Sequence, residues 1–117
     1  MIQLKRAYDD VEESDGYRVL VDRLWPRGVS KEKLQLDEWL KEIAPSNELR
    51  KWIHNDPEKF DEFRERYYHE LNRKEELITK LKELVKTHQK LTFIYASKNR
   101  DQNNATVLKE YLMENNP

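Results

Sequence analysis

Residues 17–31 read YRVLVDRLWPRGVSK, and the first six of them decide the fold. Tyr17 to Asp22 is β-branched and aliphatic, bounded by Gly16 before it and Trp25-Pro26 after it, as a buried strand should be. The strand then runs straight into Asp22, Arg23, Trp25, Pro26, Arg27, Gly28 and Lys31. Packed charge, an indole and a rigid turn at a strand end describe the floor of a site. They equally describe a surface corner tied down by salt bridges.

The second continuous apolar run is residues 91–96, LTFIYA. Between the two runs the chain is helical in pattern, and a helical crossover suits parallel pairing of the strands it joins. Ser30 is a good N-cap for a short turn through Leu34, and Asp37 for a segment carrying Trp39, Leu40 and Ile43. Pro45 ends that segment, Ser46 caps a helix over 47–54, and Asp56-Pro57 starts another. Phe60, Phe63, Tyr67 and Leu71 form one apolar stripe; Leu77, Ile78, Leu81, Leu84 and Val85 form the next, ending near His88. A helix over 103–114 closes the pattern, with Ala105, Leu108, Tyr111 and Leu112 inward. Residues 2–8 alternate as a short strand, and the acidic stretch 9–15 reads as a loop. The expectation is one compact α/β domain over residues 1–117, a small, mainly parallel sheet covered by several helices.

That arrangement would bring two polar strand endings together. Ligands in open α/β sheets bind outside the carboxyl ends of the strands. There Asp22-Arg23-Leu24-Trp25-Pro26-Arg27-Gly28 would meet Ser97-Lys98-Asn99-Arg100-Asp101-Gln102-Asn103-Asn104. Arg23, Arg27 and Lys31 recur at spacings of four, and guanidinium groups grip phosphate or carboxylate bidentately. Arg50 and Lys98 would join them if the fold allows. Asp22, on the strand end itself, is the candidate catalytic carboxylate, or it orients an Arg. Trp25 would wall the pocket or stack on a ring, and the Asn103 and Asn104 amides would bond a ligand or cap the last helix. The bland alternative puts every one of these charges in an internal salt bridge.

The totals exclude several classes. The chain has 22 basic and 23 acidic residues, net charge -1, so it is no general nucleic-acid coat. Three Trp, six Tyr and three Phe supply a core that a disordered polyampholyte lacks. Without cysteine there is no disulfide, thiolate metal site or thiol nucleophile. His54, His69 and His88 have no ligand spacing, so neither metal nor cofactor is expected. Tyr67, on an apolar stripe, should be core with a tethered hydroxyl. No apolar leader or membrane-length run occurs, which predicts a cytoplasmic protein.

Three stretches carry a resemblance: DGYRVLVDRLWPRG at 15–28, WLKEIAPSNELRK at 39–51 and YASKNRDQNNATVL at 95–108. Together they resemble the DUF488 family of bacterial and archaeal proteins, specifically its YeaO-like branch. The resemblance implies a compact α/β domain and brings no established activity. Its motifs contain Asp22, Arg23, Trp25, Pro26, Arg27, Gly28, Ser46, Arg50, Lys98 and Asn103. Distant members carry a Cys-His-Arg stretch after the last strand, and the YeaO-like branch often a His; here Asn103-Asn104-Ala105 stands instead. The expected function is recognition of a small anionic ligand, phosphate-bearing or nucleotide-like, with metal-free transfer or hydrolysis if there is chemistry. The alternative is a nucleic-acid- or protein-binding module using Arg27, Lys31, Lys33, Arg50 and Lys51 as an outward patch beside Trp25 or Trp39.

Overall fold

The computed structural model describes residues 1–114. Both apolar runs are strands, β2 (Tyr17–Leu20) and β4 (Leu91–Tyr95), and they pair parallel with Tyr17 opposite Leu91 and Leu20 opposite Ile94. β1 (Ile2–Arg6) lies parallel on the other side of β4, Ile2 opposite Leu91 and Arg6 opposite Tyr95. Beyond β2 lies a short edge strand, β3 (Glu38–Trp39), so that among the described residues the sheet has four strands in the order β1-β4-β2-β3. β4, in the middle, is buried at all five positions, which is why it reads as an unbroken apolar run.

The helix expected after Asp37 is not there. β3 pairs with Val19 and Leu20 in its place, and Lys41–Ile43 is one 3-10 turn. Trp39, Leu40 and Ile43 fit a helical stripe by spacing, but the open edge of β2 supplies backbone partners that one isolated turn would not. The Asp37 carboxylate, expected as a helix cap, accepts the backbone N–H of Arg18 instead (2.8 Å). The predicted strands are also longer than the observed ones: residues 7–8 and 21–22 lie outside β1 and β2, though the Ala7 and Val21 amides still bond to β4 carbonyls.

The two expected serine caps form. Ser30 caps α1 (Lys31–Leu34) by accepting from the Lys33 amide, and Ser46 caps α2 (Asn47–Asn55) by accepting from Leu49. Pro57–Lys59 is a 3-10 turn leading into α3 (Phe60–Asn72), followed by α4 (Glu75–Thr87) and, after β4, α5 (Asn104–Glu114). Asp56 makes no side-chain cap bond, and α3 and α4 start without one. On the front of the sheet Val19, Val21, Leu91, Phe93 and Tyr95 pack against these four longer helices. On the back, Leu20 and Ile94 pack with Ala7 and Leu34 beneath Trp25, Val29, Leu36 and Trp39. Tyr67 is fully buried and its hydroxyl donates to the Ile43 carbonyl at 2.7 Å, core with a tethered oxygen as expected. Among the described residues no helix is long and apolar enough to cross a membrane.

Candidate functional site at the carboxyl ends of the strands

Because β1, β4 and β2 are parallel and in level register, the loops leaving them open on the same edge. A cleft of about 820 Å³ lies there. Its walls are Tyr8, residues 22–27 and 96–99, Gln102 to Asn104, Ala44-Pro45, Arg50, Ile53 and His54 of α2, and Pro57, Phe60 and Phe63. All eight residues singled out from sequence, Asp22, Arg23, Trp25, Arg27, Arg50, Lys98, Asn103 and Asn104, line it. Lys31 does not; it opens α1 on the back of the sheet.

Asp22 ties three elements together. Its Oδ2 accepts the Ala96 amide just past β4 (2.9 Å) and its Oδ1 accepts Asn104 Nδ2 from α5 (3.0 Å). The same amide nitrogen of Asn104 also donates to the Val21 carbonyl (3.1 Å). Burial pushes the Asp22 carboxyl above its ordinary value; the two hydrogen bonds and the charge of Arg50 oppose that without overcoming it.

Arg23 builds a wall. The segment from Ile43 to Ser46 lies outside regular strand and α-helix, so its carbonyls need side-chain donors. Arg23 Nε donates to Pro45 O (3.2 Å) and Nη2 to Ala44 O (3.1 Å), Lys74 also reaches Ala44 O (2.9 Å), and Tyr67 takes Ile43 O. Glu70 accepts from both the Ser46 amide and its hydroxyl. Arg23 also faces Glu42 at 3.7 Å. Arg50 differs: it lines the cleft from α2, yet its buried Nε has no hydrogen-bond partner among the described residues. Ile53 and His54 share its face, one turn on.

Trp25 is half-buried, donates Nε1 to Val29 O (2.6 Å), and meets Trp39 edge-on at 5.5 Å. Trp39 donates Nε1 to Asp22 O (2.8 Å) and carries the Lys41 ammonium over its ring at 5.0 Å. Asn103 caps α5, its Oδ1 accepting the Thr106 amide (2.9 Å) while Nδ2 holds Asn99 O. The loop before it is pinned as well: Asn99 Oδ1 accepts the amides of Asp101 and Gln102, and Arg100 forks onto Asp9 at 2.8 and 2.9 Å. That fork holds the Asp9 carboxyl down at about 2. Arg27 and Lys98 remain, both exposed on the cleft walls, with no side-chain hydrogen bond or ion pair among the described residues. No three His, Asp or Glu side chains among the described residues group closely enough to hold a metal ion.

The sequence model of the inactive DUF488-N3 subclade matches residues 1–116. The chain belongs to the DUF488 family. It is 52% identical over 111 residues to the uncharacterized protein YeaO of Escherichia coli K12, an alignment covering 95% of this chain and 96% of that one. It is 49% identical over 71 residues, 61% of this chain and 60% of the relative, to the uncharacterized protein Mb3100c of Mycobacterium bovis. No solved structure matches it significantly. In this DUF488 chain the cleft residues that sequence reasoning misses are Tyr8, His54 and a largely apolar set, Ala44, Pro45, Ile53, Pro57, Phe60 and Phe63. The two Phe do belong to the core stripe, as their spacing predicts, but they also form one wall of the cleft. Helical spacing from Arg50 is the signal that points to Ile53 and His54.

Proposed function

We propose that this chain binds a small anionic ligand in the cleft and performs no chemistry on it. The observation that carries this reading is the charge left after internal pairing. Arg23, Arg27, Arg50 and Lys98 line the cleft against a single carboxylate, Asp22, in a chain of net charge -1. Arg23 is spent on carbonyls and faces Glu42, and Arg50 reaches Asn47 Oδ1 (3.4 Å) while its charge is felt by Asp22. Arg27 and Lys98, on separate loops above the strand ends, keep their charge uncompensated among the described residues. A concave wall concentrates such a field on whatever enters.

The absence of chemistry rests on what the polar groups are doing. Both Asp22 oxygens already accept hydrogen bonds that join β2, β4 and α5, so the carboxylate positions backbone rather than serving as a free base. The residues after the last strand bring neither thiol nor imidazole; the His54 imidazole does line the cleft, but from α2. The subclade's description as inactive agrees with this.

The test is a thermal-shift titration with inorganic phosphate, sulfate and small carboxylates, on wild type and on the Arg27→Ala/Lys98→Ala double variant. Phosphate should raise the wild-type melting temperature by mass action. The double variant should melt where unliganded wild type does and weaken phosphate binding by roughly ten- to a hundredfold per cation removed. Wild type unmoved by any of these anions would overturn the reading.

A further inference from the structure

We infer that the ligand is a phosphate monoester of a heteroaromatic ring, held with its ring inside the cleft and its phosphate at the mouth between Arg27 and Lys98. This rests on the anion-binding reading and specifies its ligand. Orientation follows from charge. Inside, the opposite charges of Asp22 and Arg50 line the same cleft, and the Asp22 carboxyl feels that of Arg50, so the inner end favours a neutral group. The uncompensated charge is at the exposed Arg27 and Lys98, and the anion belongs there.

The body of the ligand follows from the walls. Ile53, Pro57, Phe60 and Phe63 stand along one side, Trp25 and Pro26 on the other loop. A bare anion at the mouth would leave that surface wet, whereas a volume near 820 Å³ lies within the roughly 300–1,000 Å³ of clefts that enclose whole organic ligands. Apolar side walls call for a body with apolar faces. Its inner edge must be polar, however. Arg50 Nε is a buried donor with no acceptor among the described residues, and Asp22 accepts two hydrogen bonds where a carboxylate has room for about four. A body with apolar faces and a donor beside an acceptor on its edge is a heteroaromatic base.

This chemistry has two sources, a free mononucleotide or the phosphorylated end of a single strand. Tyr8 and Leu24 line the cleft and are 47% and 57% exposed, where a strand would leave. Titration calorimetry separates the possibilities. The probes are inorganic phosphate, ribose 5-phosphate, the purine and pyrimidine nucleoside 5′-monophosphates, and a short single-stranded oligonucleotide with and without a 5′-phosphate.

At least one monophosphate should bind tenfold or more tightly than both phosphate and ribose 5-phosphate. Arg50→Met keeps the packed stem and removes the orphan donor. It should still fold cooperatively, somewhat less stable for the charge lost beside Asp22, and lose that tenfold preference while still binding phosphate. A 5′-phosphorylated strand binding more tightly than the monophosphate identifies a strand end; weaker binding identifies the free nucleotide, and both sustain the inference. Phosphate binding without any gain from a base overturns this inference and leaves the anion reading standing. Oligonucleotide binding indifferent to the 5′-phosphate also overturns it. If neither phosphate nor any nucleotide binds, the anion reading itself fails.

Discussion

Charge gathers at the two ends of the sheet, and it has been settled there in opposite ways. On its back, near the start of β2, Arg18 and Asp15 are 3% and 1% exposed and pair at 2.6 Å. Every nitrogen of that Arg is used, since Nη1 meets Asp15 while Nε and Nη2 both reach Leu34 O, and Asp15 also holds Lys5 (2.9 Å). Thr92 Oγ1 donates to Asp15 O at 2.6 Å. At the carboxyl ends, Arg50 keeps a buried orphan donor and two cations keep their charge. The first place is a knot that closes the fold; the second has polar capacity to spare. Burial of a charge, then, does not mark function. The balance left over after internal pairing does.

The carboxyls report the same contrast. Burial would push Asp15 up, but the Glu12 amide, Lys5 and Arg18 outweigh it and hold the group below its ordinary value. For Asp22 burial prevails and the group sits above. One environment was built around the charge, and the other leaves it short of partners.

The largest effect is expected at the knot. Asp15→Ala strands a buried Arg18 and should cost about 3–5 kcal/mol in urea unfolding, the usual penalty for removing one partner of a buried pair. A loss below about 1 kcal/mol would mean the knot is as loose as the cleft. The two glycines divide along the same line. Gly16, beside the knot, has φ 65° and a Cβ there would strike the Lys90 backbone; Gly28, by the cleft, has φ 80° in open space. Gly16→Ala should therefore cost well beyond the roughly 1 kcal/mol of left-handed strain expected of Gly28→Ala. Equal losses would show that the collision is relieved by movement of the strand ends.

Within the cleft, Arg23→Met removes donors from two wall carbonyls and should cost about 1–3 kcal/mol. Arg27→Met should stay within about 0.5 kcal/mol of wild type, both read by urea unfolding. If the order reverses, Arg23 faces the ligand and Arg27 is structural.

The pH dependence is the finest test, and its signs oppose. Asp15 is depressed in the fold, so its stabilisation is full above the unfolded value of about 3.9 and is lost as pH falls through the folded one. The stability gap between wild type and Asp15→Asn should accordingly close on acidification. Asp22 is raised, so the native state takes up its proton more readily than the unfolded chain, and wild type should gain on Asp22→Asn as pH falls toward about 3.9. Melting curves collected across that range read both.

Much of this fold is legible in the amino-acid order alone. β2 and β4 stand out as apolar runs because burial on both faces leaves no polar alternation. Ser30, Ser46 and Asn103 mark helix starts because a cap needs only a side chain within three residues of its partner amide. The segment from Asp37 to Ile43 misleads for the converse reason. Its periodicity is helical, and the partner that makes a strand of it, the edge of β2, lies far back in the chain. Seven of the eight cleft residues follow from topology, through level parallel strand ends; Arg50, on α2, does not, nor does the differing employment of any of them. Nothing local separates Arg23 from Arg27.

Periodicity and short-range capping are enough to set the α/β class, the parallel pairing of the two apolar strands and the edge on which polar loops collect. Which charges are spent was left to long-range packing. Arg23 ended on the carbonyls of Ala44 and Pro45, Arg18 on Asp15 and Leu34, and Arg50 Nε on no partner among the described residues. A guanidinium reaches whatever acceptor the packing brings near, and that acceptor can come from anywhere in the chain.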